Sequence, residues 1–83
     1  MRVTVRYFAA LREALGAQEN VHVAGAATLG GLRDQLIASS PRHADALRRG
    51  RTLRASLNQA LADESAPLEE GAEVSFFPPV TGG

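Results

Sequence analysis

The stretch Ala72-Glu73-Val74-Ser75-Phe76-Phe77, running directly into Pro78-Pro79-Val80-Thr81-Gly82-Gly83, decides how this chain folds and where its core stops. Successive side chains of a strand point to opposite faces, so Val74 and Phe76 share one face and Ser75 and Phe77 the other. The prolines end the ladder, because they lack a backbone N–H, and continue it as a stiff extended rod. Before the strand, Leu68 leads into the turn Glu69-Glu70-Gly71. The natural partner lies at the other end of the chain. From Arg2 to Phe8, Val3, Val5 and Tyr7 alternate with Arg2, Thr4 and Arg6, the pattern of a half-buried strand. These two strands are the most apolar and are expected to lie side by side at the centre of a sheet.

Between them the pattern switches twice. Ala9 to Leu15 is rich in helix formers and is stopped by Gly16, and Asn20-Val21-His22-Val23 reads as a second strand closed by Ala24-Gly25. Thr28 is an N-cap for a helix carrying Leu29, Leu32, Leu36 and Ile37 and ending at Ser39-Ser40-Pro41. Gly30 and Gly31 are poor helix residues, expected to permit close approach to the sheet. His43 to Arg49 adds a helical turn, and Thr52 to Leu57 a strand. Asn58-Gln59 is a tight turn, and Ala60-Leu61-Ala62 pairs back. The order β, α, β, α, short strands, β predicts an α+β fold: a mixed sheet packed on one main helix, with an extended C-terminal tail. It suggests the β-grasp architecture of ubiquitin-like proteins. The expected division is a β-grasp domain over 1–77 and a tail over 78–83 ending in Gly-Gly.

Composition narrows the function. At 83 residues, 45% apolar and 22% charged, the chain is one small globular domain, for which a large internal ligand pocket is not expected. Nine basic residues, all arginine, balance nine acidic ones, so no nucleic-acid footprint is predicted. Arg48, Arg49, Arg51 and Arg54 cluster and are read as a solvated face or a partner contact. The absence of cysteine excludes disulfides, a thiolate nucleophile and any cysteine-based zinc site. No apolar run reaches a membrane span and the opening residues are not a signal peptide, so the expected location is cytoplasmic, away from membranes.

No nucleophile–base pair, phosphate loop or metal-ligand spacing is present. His22 and His43 are read as structural or solvated, and Asp63, Glu64, Glu69 and Glu70 as solvated turns rather than a metal cluster. What remains is the tail. Glycine has no Cβ, so Gly82 and Gly83 offer little width to a narrow catalytic channel. The terminal carboxylate is ionised and unreactive until another enzyme activates it. Fully extended, 78–83 reaches up to about 20 Å at ~3.3–3.6 Å per residue.

The run Val74-Ser75-Phe76-Phe77-Pro78-Pro79-Val80-Thr81-Gly82-Gly83 resembles the end of the family of molybdopterin synthase small subunits, ubiquitin-like sulfur carriers. Val5-Arg6-Tyr7-Phe8-Ala9-Ala10-Leu11-Arg12-Glu13, Leu57-Asn58-Gln59 and Leu68-Glu69-Glu70-Gly71-Ala72-Glu73-Val74 are similar to it as well, so the likeness spans essentially the whole chain and is sparsest from Gly25 to Arg51. The resemblance implies that an ATP-dependent, E1-like adenylyltransferase activates the Gly83 carboxylate, which a persulfide donor converts to a thiocarboxylate. The large catalytic subunit, in an expected heterotetramer, then receives the tail, and two sulfur transfers to cyclic pyranopterin monophosphate build the molybdopterin dithiolene. The carrier itself is expected to bind no cofactor and no metal; ATP belongs to the activating enzyme. In this reading Gly83 bears the sulfur, and Pro78, Pro79, Val80, Thr81 and Gly82 line the insertion channel. Phe8, Arg12, Leu61 and Phe77 are candidate partner-binding residues, with ordinary core packing an equal alternative for Phe8 and Leu61 and a solvated helix position for Arg12. Two further readings share the fold: a thiamine-pathway sulfur carrier, against which the Phe-Phe-Pro-Pro-Val-Thr run argues, and a ubiquitin-like modifier or interaction domain.

Overall fold

The computed structural model describes residues 1–24 and 27–79. Five strands form one sheet: β1 (Arg2–Tyr7), β2 (Gln18–His22), β3 (Arg54–Leu57), β4 (Ala60–Ala62) and β5 (Glu73–Phe77), in the order β2-β1-β5-β3-β4. β1 and β5 are parallel neighbours at the centre, with Val5 opposite Val74 and Tyr7 opposite Phe76. All other pairings are antiparallel. This is the mixed sheet of the β-grasp fold, and the expected central pair is present.

Three helices accompany the sheet, with α2 the main one as expected: α1 (Ala10–Leu15), α2 (Leu29–Ser39) and α3 (Pro41–Leu47). The core joins Val3, Val5, Tyr7, Val74 and Phe76 of the sheet to Leu11, Leu29, Leu32, Leu36 and Leu47 of the helices. Where the sequence predicts only a turn from His43, α3 begins at Pro41. Pro41 fills the first helical position and Ser40 Oγ accepts the His43 N–H at 3.1 Å, so the residues that end α2 also start α3. β2 begins at Gln18, two residues earlier than expected, because Val5 pairs with Glu19 and Arg6 with Gln18. Val23 falls outside β2, although its N–H still reaches the Met1 carbonyl at 2.7 Å. Gly25, whose closing role was expected, lies outside the described residues.

Thr28 caps α2 through a 3.1 Å bond from the Gly31 N–H. The preceding free N–H groups of this helix are met by the loop after β4: Leu29 donates to the Ala66 carbonyl and Gly30 to the Glu64 carbonyl, both at 2.9 Å. Gly30 therefore permits approach to that loop rather than to the sheet. A Cβ there would sit 3.0 Å from the Cβ of Glu64.

Buried Arg33 fastens the other side of α2. Its Nε donates to the Leu47 carbonyl at 2.8 Å, Nη2 to the Arg48 and Arg51 carbonyls at 2.8 and 2.9 Å, and Nη1 to Glu64 at 3.1 Å. One planar fork thus ties down the loop after α3, a task a lysine could not perform. The arginine cluster is correspondingly structural in part: Arg49 pairs with Asp34 and Glu64 and donates to the Gly30 carbonyl at 3.0 Å.

Candidate functional site: an open sheet face at the root of the tail

The register assigns the residues of the face turned away from the core. Arg6, Ser75, Ser56 and Leu61 are successive partners in one row across β1, β5, β3 and β4. In the next row Phe77 lies opposite Arg54. Ser75 and Ser56 give the middle of this face a floor with little height. Around it stand exposed Leu61, half-buried Phe77 and Phe8, which is 39% exposed. Phe8 extends the central pairing, its N–H donating to the Phe76 carbonyl at 3.2 Å. The Arg6 guanidinium lies 5.6 Å from the centre of its ring and pairs with Glu73 at 3.1 Å. Phe8 and Leu61 are the exposed large hydrophobics of the described residues, so ordinary core packing, the alternative for both, does not describe them.

Phe77 is the last residue of β5, and the half-buried Pro78 and Pro79 follow at once. The tail therefore leaves from the edge of an apolar patch. Phe76 faces inward, stacked on Tyr7 with ring centroids 6.5 Å apart. Ala9, next to Phe8, holds φ 55° and ψ −132°, a conformation essentially reserved for glycine. Arg12 lies on the exposed side of α1, next to buried Leu11, and no side-chain hydrogen bond or ion pair joins it to the patch among the described residues. Val80, Thr81, Gly82 and Gly83 lie outside the described residues.

Beside the patch, between α2 and the β3–β4 pair, is an open cleft of about 410 Å³ lined by Leu29, Leu53, Ala55, Ala62 and Phe76, with Arg54 and Leu61 among its borders. Its polar flank is Glu64 with Arg33. The hydrogen bond from Arg49 holds the Glu64 carboxyl below its ordinary range, against the opposing cost of desolvation, and raises Arg49 in turn. Asp63 is lowered by the hydroxyl and N–H of Ser65, the turn role expected of it. Among the described residues no group of three potential metal ligands comes together, and no helix is long and apolar enough to cross a membrane.

The profile of the ThiS family matches residues 5–83. The chain belongs to the ThiS family. The molybdopterin synthase sulfur carrier subunit of Escherichia coli K12 is 43% identical to it over 81 residues, 98% of this chain and 99% of that one. The protein of the same name from Mycobacterium tuberculosis H37Rv is 39% identical over 85 residues, covering 100% and 99%. Among solved structures, SAMP1 from Haloferax volcanii superposes with a TM-score of 0.79 at 28% identity, over all of both chains. A chain from the complex of subunits 1 and 2 of the molybdopterin-converting factor of Helicobacter pylori 26695 superposes at 0.68 and 29%, again over all of both.

In this ThiS-family chain the fold brings Phe8, Leu61 and Phe77 to one side of the sheet from three separate strands or strand ends. Sequence reading missed Arg6 as a companion of those residues, and read Arg54 only within the arginine cluster, as a solvated face or a partner contact. It also missed the cleft, which arises because two small residues, Ala55 and Ala62, face each other on the core side of β3–β4. The alternation around Ser56 and Ser75 was the available signal for the face; nothing local signalled the cleft.

His43 proves structural, as read. Its Nε2 donates to Glu19 Oε2 at 2.7 Å, the same oxygen that accepts the Tyr7 hydroxyl at 2.7 Å. A carboxylate can only accept, which assigns both donors. Burial and Glu19 push the Tyr7 phenol up, so it stays protonated at neutral pH.

Proposed function

We propose that this chain is a sulfur carrier subunit of molybdopterin synthase, acting through a C-terminal thiocarboxylate on Gly83. The observation that carries the reading is the placement of Phe8, Leu61 and Phe77 on one open face at the point where β5 passes into Pro78-Pro79. A protein whose chemistry lies at the end of a narrow tail needs a body that docks beside the root of that tail, because docking energy positions the reacting atom. The full-length likeness to sulfur carrier subunits supports the same reading.

An E1-like enzyme first adenylates the Gly83 carboxylate, with ATP supplying AMP as the later leaving group. The terminal sulfur of a persulfide donor displaces AMP to form an acyl disulfide, and a thiol then cleaves that disulfide, releasing the thiocarboxylate and itself ending in a disulfide with the donor. The body then docks on the large synthase subunit, and Pro78 to Gly82 thread its channel. The ionised sulfur is the nucleophile toward cyclic pyranopterin monophosphate, by the logic of a thiolate. No cofactor is required on the carrier itself. The E1-like partner and a heterotetrameric assembly are part of the proposal.

Intact-mass measurement tests it. After incubation with the activating enzyme, ATP and a sulfide source, the chain should gain the mass of one oxygen replaced by sulfur, and removal of Gly83 should abolish both that gain and molybdopterin formation. A variant lacking Gly83 that still supports molybdopterin formation would overturn the mechanism. Covalent adducts to other proteins would favour the modifier reading, for which the fold likeness to SAMP1 is the supporting observation.

A further inference from the structure

We propose that the cleft between α2 and the β3–β4 pair is a second part of the docking surface, which seats one large apolar side chain of the large partner subunit beneath a carboxylate that pairs with Arg54. The inference rests on the functional reading above and names what its partner must present.

The cleft has a local cause. On the core side of the sheet Ala55 pairs with Ala62, so this end of β3–β4 presents two methyl groups where β1 and β5 present valines, Tyr7 and Phe76. α2 begins only at Leu29, and its first turn is held off by the loop after β4, with the Gly30 N–H on the Glu64 carbonyl. The result is a hollow of about 410 Å³ with an apolar floor of Leu29, Ala55 and Phe76.

Two features select the occupant. The first is continuity: Leu61 and Arg54 belong both to the open face and to the border of the cleft, so a body that covers the face also reaches the hollow. Buried apolar anchors in such hollows carry most of the binding energy of an interface. The second is charge. The acids of the cleft are already engaged, Glu64 by Arg33 and Arg49 and Asp63 by Ser65. Arg54 forms no ion pair or side-chain hydrogen bond among the described residues and stands in the row of Phe77. Arg6, on the same face, is already paired with Glu73 at 3.1 Å, which leaves Arg54 as the charge the partner must meet. A second copy of this chain would bring its own Arg54 and acids that are already paired, whereas a partner with a carboxylate beside an apolar knob complements both features.

The test fills the hollow. Ala62→Leu places an isobutyl group in the cleft, and Arg54→Glu reverses the lip; binding of each to the purified large synthase subunit is measured by calorimetry beside the wild type, with thermal melting as a fold control. Wild-type binding, with both variants folded and weakened by roughly tenfold or more, is the expected result. If Ala62→Leu lowers the melting temperature, the more adaptable Ala62→Met provides the same comparison. Wild-type binding with a folded, filled variant that binds equally well would overturn the inference and leave the proposed function standing. Failure of the wild type to bind at all would remove the functional reading itself. A wild-type chain that self-associates, and loses this on Ala62→Leu, would assign the cleft to a second copy and likewise overturn the proposal.

Discussion

Phe76 and Phe77 are adjacent in the chain and stand on opposite faces of the sheet. Phe76 stacks on Tyr7 within the core, its ring plane 18° from parallel, while Phe77 lies across from Arg54 on the open side. Substitution should separate their roles. Phe76→Ala removes a fully buried ring and should cost about 3–5 kcal/mol, enough to unfold much of a small domain. Phe77→Ala should cost less than about 1 kcal/mol of stability, yet weaken docking by about 2 kcal/mol or more if Phe77 is an anchor. Denaturant melts and calorimetric titration with the large subunit check the pair.

Ala9 is a strained link between β1 and α1. Its φ of 55° with ψ of −132° suits glycine, and such a conformation costs about 1–3 kcal/mol in other residues. Ala9→Gly should therefore stabilise the protein by about 1 kcal/mol after the entropic loss of a glycine, raising Tm by about 4–8 °C. Ala9→Val should lower it. Differential scanning calorimetry of the two variants gives the answer.

Gly30 and Gly31 are neighbours with different constraints. A Cβ on Gly30 would meet the Glu64 Cβ and Oε1 at 3.0 Å and its carbonyl at 3.2 Å, and that carbonyl is itself held by the Gly30 N–H. Gly30→Ala should destabilise by about 1–3 kcal/mol despite the better helix propensity of alanine. Gly31→Ala meets only Thr28 Oγ1, at 3.4 Å, and should be neutral or stabilising by up to about 1 kcal/mol. Urea denaturation of both variants is the check.

The ion pairs at Glu64 make stability depend on acid. Its carboxyl lies below the ordinary value of 4.5 because Arg49, then Arg33, favour the charged form. The native state thus binds a proton less readily than the unfolded one. The stabilisation is fully present above the unfolded value and is lost as pH falls below it through the lower folded value. Wild-type Tm should fall more steeply than that of Glu64→Gln between about pH 5 and pH 3, with the two curves converging at the acid end. Parallel curves across this interval would remove Glu64 from the account.

Most elements, and the two faces of the first and last strands, were legible from residues alone, because alternation, caps and turn residues act over a few positions. Val3, Val5 and Tyr7 fixed one side of β1, Thr28 fixed the start of α2, and the positive φ angles of Asn58 and Gln59 match the tight turn read from their side chains. Even the central β1–β5 pairing was legible, since these two strands carry the most apolar surface and so are driven to the interior. That Phe8 and Leu61 stand in solvent beside Phe77 emerges from the folded sheet, because register between strands distant in sequence is set by the packing of the whole core. Arg33, Glu64 and Gly30 likewise acquire their roles only when α2, the loop after α3 and the loop after β4 close on one another. The cleft is a gap between elements, created where Ala55 meets Ala62, and a gap has no residue of its own in the chain.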